Sequence, residues 1–182
     1  MLHPTTSYAL WRRTVSERGF TYIQVRQHAV ISLGTQVTLQ VLWPPSPLHK
    51  SSGEELDNAL IMRLVAPSFR MLLLGAAALS KYALNELSST VDPGFLQANV
   101  VQIVGEVGKA FPSPLSSVLQ LAHPSLVVIS PSALNAKLRK AGQTSTITPA
   151  PFAGAPWQVI QTAQADSVEI SSSGSGWNLD LK

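Results

Sequence analysis

The chain has 182 residues, of which 45% are hydrophobic and 13% are charged. This balance excludes a disordered chain, because enough apolar surface is present to form a core, and the length suits one domain spanning residues 1–182. The net charge of +3 permits contact with nucleic acid or an anionic surface without arguing for either. The absence of cysteine excludes disulfides, thiol catalysis and cysteine metal sites.

The N-terminal segment predicts a helix over Ser7–Arg18, because apolar residues recur there at spacings of three and four. Three arginines, Arg12, Arg13 and Arg18, share its polar side. Two interpretations are open: a solvated helix face, or a patch that contacts phosphate groups.

An antiparallel meander follows, with strands predicted at Thr21–Gln27, Ala29–Leu33 and Gln36–Trp43. The next segment, Trp43–Asn58, is rich in proline, serine and glycine. This composition is typical of a long, exposed loop.

The central stretch, Ala59–Ser130, alternates strands with helices. The predicted elements are strands at Ala59–Val65 and Phe69–Gly75, a helix at Ala77–Leu87, a strand at Asn99–Gly105, a helix at Pro114–Ala122 and a strand at Leu126–Ser130. This order indicates an α/β fold in which helices cover a mixed or parallel sheet. Chemistry in such a fold is expected where the strands end, here at Gly75–Ala78 and Gly105–Lys109.

The C-terminal part predicts a short helix over Pro131–Gly142, whose basic residues near the C-terminal end are Lys137, Arg139 and Lys140. A low-complexity loop separates this helix from three short predicted strands. They are Trp157–Ala163, Ser167–Ser173 and Gly176–Lys182.

No catalytic constellation emerges from the residues alone. The sequence lacks the G-x-S-x-G nucleophile elbow and the P-loop pattern. The four histidines are dispersed without metal-ligand spacing: His3, His28, His49 and His123. The acidic cluster of Glu54, Glu55 and Asp57 falls in the proline-rich loop, where we expect it to be solvated.

Three runs of the sequence resemble a known family. DNALIMRLVAPSFRMLLLGAA is similar to n-x-S-L-V-L-R-L-x-x-g-x-x-x-L-L-T-G-D-A, and LQANVVQIVGEVGKAFPSPLSSVLQLAHPSLVVISPSALN to L-x-A-D-V-L-K-V-G-H-H-G-S followed by P-x-x-A-V-I-S-x-g-x-N. The terminal WQVIQTAQADSVEISSSGSGW also resembles that family, the metallo-β-lactamase-like C-terminal domain of competence DNA-uptake (ComEC) proteins. The resemblance implies the C-terminal half of an αββα sandwich. It further implies partners in a membrane DNA-uptake assembly, on the extracytoplasmic side, and contact with DNA.

The departures from the family pattern concern its metal ligands. The aspartate of L-L-T-G-D-A falls on Ala76, and the paired histidines of G-H-H-G-S fall on Glu106 and Val107. The T-H-x-x-x-D-H cluster that supplies most ligands has no counterpart in this chain. Because alanine and valine carry no donor atoms, we expect Ala76 and Val107 to pack as core, with no metal cofactor and no catalysis.

Three functional hypotheses follow. The first is a non-catalytic, metal-free β-lactamase-like domain with a structural or interaction role. The second is a metal-dependent hydrolase or nuclease completed by residues outside this chain, which requires Glu106 and His123 to face one cleft. The third is a nucleic-acid-binding module that uses six cations: Arg12, Arg13, Arg18, Lys137, Arg139 and Lys140.

Overall fold

The computed structural model describes residues 6–21, 23–50, 54–105, 110–131, 152, 154, 156–162, 167–173 and 175–181. Helices within these ranges are α1 (Thr6–Glu17), α2 (Glu54–Asp57), α3 (Lys81–Thr90), α4 (Pro93–Leu96) and α5 (Pro114–Ala122), with a 3₁₀ turn at Ala76–Leu79. The strands are β1 (Val30–Leu33), β2 (Val37–Trp43), β3 (Ile61–Ala66), β4 (Phe69–Gly75), β5 (Val100–Gly105), β6 (Leu126–Pro131), β7 (Gln158–Gln161), β8 (Val168–Ser172) and β9 (Trp177–Leu181).

Seven strands form one mixed sheet in the order β1-β2-β3-β4-β5-β6-β7. The first four strands pair antiparallel, and every pairing from β4 to β7 is parallel. Parallel strands need crossover connections, and α3 and α5 lie in the crossovers from β4 to β5 and from β5 to β6. The prediction of a mixed sheet covered by helices is confirmed.

One face of the large sheet packs against helices. Alternate residues of the central strands, such as Leu72, Leu74 and Ile103, point to this face and are fully buried. The helices α3 and α5 cover them with apolar stripes that include Leu84 and Leu119. This helix-side core is the larger of the two.

The opposite face of the sheet packs against a two-stranded hairpin made of β8 and β9. The strand residues whose side chains point to this face include Phe69, Val100 and Val128. They form a second core with Ile170 and Trp177 of the hairpin. The Phe69 and Trp177 ring centroids lie 5.9 Å apart. The described residues therefore form three layers: helices, a large sheet and a small sheet.

The predicted strand at Thr21–Gln27 is wrong, because its described residues are irregular. The last residue of the segment, Gln27, donates its backbone N–H to the carbonyl of Pro44, the residue after β2. Its neighbour His28 has φ 72°, a left-handed conformation that an extended strand cannot continue through. The regular ladder therefore starts at Val30.

The Trp43–Asn58 segment is more ordered than its composition predicts. It contains α2, and both Trp43 and Pro44 are buried. The predicted helix at Pro131–Gly142 lies outside the described residues except for Pro131, which ends β6.

The predicted helix at Ala77–Leu87 is wrong in its bounds, because a 3₁₀ turn at Ala76–Leu79 and the extended Ser80 precede α3, which begins at Lys81 and ends at Thr90. The other predicted strands and helices of the described ranges are confirmed within one or two residues at their ends.

The N-terminal helix α1 confirms its prediction, and its side chains are mostly exposed. Leu10 and Trp11 are among the exposed large apolar residues. Across the part of the chain that the structure describes, no helix is both long and apolar enough to span a membrane.

Removing the Leu74 side chain tests the helix-side core. Leu74 is 0% exposed, so Leu74→Ala leaves a cavity, and we expect it to lower the free energy of unfolding by about 2–5 kcal/mol. The matched control is Leu33→Ala in β1, because Leu33 is 46% exposed and should change stability by about 0.5 kcal/mol or less. Urea denaturation measures both, and equal losses would contradict the assignment of the core.

Candidate functional site

The carboxyl ends of the parallel strands mark the edge where an α/β sheet usually places its chemistry. At this edge β4 ends at Gly75 and β5 ends at Gly105, which pairs with Pro131 of β6. The antiparallel neighbours bring Trp43, at the end of β2, opposite Ile61, at the start of β3. We refer to this side of the sheet as the carboxyl edge.

The chain leaves β4 through Gly75, whose φ of 51° favours glycine. The following 3₁₀ turn buries Ala77 and Ala78 completely, whereas Ala76 is exposed. The expectation that Ala76 packs as core is therefore wrong. Successive residues of a 3₁₀ turn point about 120° apart, so Ala77 and Ala78 face the helix-side core while Ala76 points to solvent.

A network centred on Asp57 fills the carboxyl edge beside this turn. The Ser80 hydroxyl donates to Asp57 Oδ1 at 2.6 Å and accepts from the backbone N–H of Ala83 at 3.0 Å. Ser80 is thereby the N-cap of α3. The Trp43 indole N–H donates to the backbone carbonyl of Asp57 at 2.6 Å. The network thus ties the end of β2, the segment before β3 and the start of α3 together.

His49 is held against the same network. The Asn58 side chain accepts from the His49 backbone N–H at 2.9 Å and donates to its carbonyl at 2.8 Å. The imidazole ring stacks on Tyr82 with a centroid distance of 3.7 Å, and its Nε2 lies 4.0 Å from Asp57 Oδ2. The Asp57 side chain is only 15% exposed, so the expectation that this carboxylate is solvated is wrong.

The environment of Tyr82 disfavours the phenolate. Burial, followed by the negative charges of Glu86 and Asp57, raises the pKa of Tyr82 above its ordinary value. Tyr82 therefore stays a neutral, stacking ring over the physiological range and is not prepared to act as a base or a nucleophile.

The described residues of this edge do not fit a hydrolytic metal. A catalytic zinc needs about three protein donors, and no group of three His, Cys, Asp or Glu residues occurs among the described residues. Ala76 offers no donor, while Glu106 and Val107 lie outside the described residues. The nearest candidates are His49 and Asp57, and one Asp57 oxygen already accepts the Ser80 hydroxyl proton.

His123 lies at the opposite edge of the sheet. It ends α5 in a left-handed conformation, φ 46°, three residues before β6 begins. Gly105, the residue before Glu106, ends β5 and pairs with the last residue of β6. One end of β6 lies near His123 and the other near Gly105. Glu106 itself lies outside the described residues, so a cleft that it shares with His123 stays a prediction.

The cations of the nucleic-acid hypothesis are only partly described. Arg12, Arg13 and Arg18 are exposed on or just after α1, and the Arg13 guanidinium pairs with Glu17 at 2.6 Å. The other three, Lys137, Arg139 and Lys140, lie outside the described residues. Whether the two groups meet stays a prediction.

The residues that the sequence interpretation missed are Asp57, Ser80, His49 and Tyr82. Ser80 had a local signal, since a serine before an apolar-periodic stretch is typical of an N-cap. Its partner Asp57 is 23 residues earlier in the chain, so no local pattern indicates that the two side chains meet.

Comparisons with known proteins give little that identifies the chain. No protein-family model matches it, and no curated protein matches it. Among solved structures, a protein from Parabacteroides distasonis with the provisional name of metal-dependent hydrolase superposes with a TM-score of 0.43 and 7% sequence identity. The match covers 82% of this chain and 60% of that protein, and a similarity this weak supports no argument about function.

Replacing Ser80 tests the network. Ser80→Ala removes the cap of α3 and the donor to Asp57, so we expect the free energy of unfolding to fall by about 1–3 kcal/mol. Ser89→Ala is the matched control, because the Ser89 hydroxyl is exposed and only donates to carbonyls of its own helix. A loss at Ser80 no larger than that at Ser89 would contradict the network.

Replacing Tyr82 gives a test at alkaline pH. Because the pKa of Tyr82 is raised in the folded state, the unfolded chain loses the phenol proton at a lower pH than the folded chain does. The contribution of Tyr82 to stability is therefore lost as the pH rises past about 10. We expect Tyr82→Phe to keep the stack on His49 and to lose less stability than the unmodified protein between about pH 9 and 11. Thermal unfolding across this range measures the difference, and parallel pH profiles would contradict the raised pKa.

Proposed function

We propose that the chain is a non-catalytic, metal-free domain of β-lactamase-like architecture with a structural or interaction role. The observation that carries this proposal is the hydrogen bond from Ser80 to Asp57, since it commits a partly buried carboxylate at the carboxyl edge to holding the fold. In a hydrolase of this architecture, carboxylates at that edge are needed as metal ligands or proton carriers.

Three side chains around Asp57 have structural hydrogen-bond partners. Ser80 caps a helix, Asn58 clamps the backbone of His49, and the Trp43 indole N–H is bonded to a carbonyl. Groups engaged in this way must break a buried hydrogen bond before they can bind a ligand, which costs about 1–3 kcal/mol each. This cost favours a structural role for the edge.

The finer proposal, a relation to competence DNA uptake, is supported by the sequence runs quoted above and by nothing in the geometry. The two alternatives, a hydrolase and a nucleic-acid-binding module, have weaker support. His123 lies at the edge opposite Gly105, and Arg13, one of the three arginines of the nucleic-acid hypothesis that are described, is paired with Glu17.

Calorimetric titration with Zn²⁺ and with Mn²⁺ tests the proposal. We expect no stoichiometric, micromolar binding of either ion to the full chain, because the described edge offers two candidate donors where three are needed.

The control separates an edge site from binding elsewhere. Micromolar binding that His49→Ala and Asp57→Asn both abolish would overturn the proposal, since it would show that the edge assembles a metal site. Binding that both variants retain would also overturn the metal-free assignment, and would place the ligands elsewhere in the chain.

A further inference from the structure

The sheet contains a buried arginine that has no anionic partner among the described residues. Arg63 in β3 is 7% exposed, and its Nε is buried with no hydrogen-bond partner. Its Nη2 makes one long bond, 3.4 Å, to the carbonyl of Gln97, and its Cζ lies 5.8 Å from the centre of the Phe95 ring. A buried guanidinium normally requires a carboxylate or phosphate, because desolvation of the charge is costly.

A second arginine lies next to it. In the β3–β4 ladder Arg63 is opposite Leu72, and Arg70 precedes Leu72 by two residues. The two arginines are therefore diagonal neighbours on the helix-side face, within reach of each other. No carboxylate of the described ranges lies within 4.0 Å of either guanidinium. Two like charges converge here without a counter-charge.

A polar cavity of about 360 Å³ opens beside the pair, at the edge opposite the carboxyl edge. The described residues that line it include no acidic side chain, and they are Arg70, Gln97, Ala98, Asn99, Ala122 and His123. Arg63 reaches this lining through its bond to Gln97. The Asn99 Oδ1 accepts from the Arg70 backbone N–H at 2.8 Å, which fixes the side chain and leaves its amide nitrogen as a donor.

We propose that this cavity binds a phosphate group, either as the free ion or as a monoester of a small molecule. The guanidinium groups of Arg63 and Arg70 supply the charge, with Asn99 and His123 as further donors. Phosphate fits better than a carboxylate because it presents more acceptor oxygens to donors that converge from two strands and a helix end. The site is independent of the function proposed for the carboxyl edge.

Calorimetry in low-salt buffer tests the proposal with two probes, inorganic phosphate and a nucleoside 5′-monophosphate. We expect saturable binding to the unmodified protein and at least tenfold weaker binding to Arg70→Gln. Arg12→Gln is the matched control, because it removes the same charge from exposed α1, and its affinity should be unchanged. Equal affinities for the two probes would identify the bare phosphate group as the ligand. Tighter binding of the nucleotide would identify a phosphate monoester as the ligand.

Arg63 provides a second, thermal readout. Bound phosphate should raise the unfolding temperature of the unmodified protein, since only the folded state assembles the site. Arg63→Met, which replaces the buried charge by an apolar chain, should abolish that rise. If Arg63→Met does not fold, the rise in unfolding temperature with phosphate is measured on Arg70→Gln instead, and it should be lost there. The proposal is overturned if neither probe binds saturably, or if Arg70→Gln binds as tightly as Arg12→Gln.

Discussion

The hydrogen bond between Ser80 and Asp57 is the contact on which the arrangement of the carboxyl edge depends. It joins the N-cap of α3 to the segment that leads into β3, and the Trp43 indole attaches the end of β2 to the same residue. Because the bond is partly buried and charge-assisted, it is stronger than an exposed hydrogen bond between neutral groups. The crossover from β4 into α3 is thereby fixed relative to the antiparallel strands.

The two edges of the sheet use their polar groups in opposite ways. At the carboxyl edge a partly buried carboxylate accepts a hydrogen bond from Ser80, and Asn58 is hydrogen-bonded to the His49 backbone. Toward the other edge, Arg70 lines a polar cavity, and neither it nor its diagonal neighbour Arg63 is paired with an acid among the described residues. A buried charge that lacks a partner is costly, whereas a completed network mainly fixes a conformation. This contrast favours structure at the first edge and ligand binding at the second.

Periodicity in the sequence was sufficient to predict the mixed sheet and its helices, since local apolar patterns determine β3 to β6 and α5. It failed at Thr21–Gln27, where the alternating pattern is present but the described residues form no strand and His28 has a left-handed backbone conformation. The site residues were harder to predict, because Asp57 and Ser80 meet through tertiary structure. Arg63 lies within an alternating strand, and only the structure shows that its Nε is buried without a hydrogen-bond partner and that Arg70 is its diagonal neighbour.

A double-mutant cycle between Asp57 and Ser80 tests the central claim most directly. The unfolding free energies of the unmodified protein, Asp57→Ala, Ser80→Ala and the double variant give the coupling energy between the two side chains. A structural bond between them should give a coupling energy of about 1–3 kcal/mol. Additive losses, with a coupling energy near zero, would show that Asp57 does not depend on Ser80 and would contradict the assignment of this edge to structure.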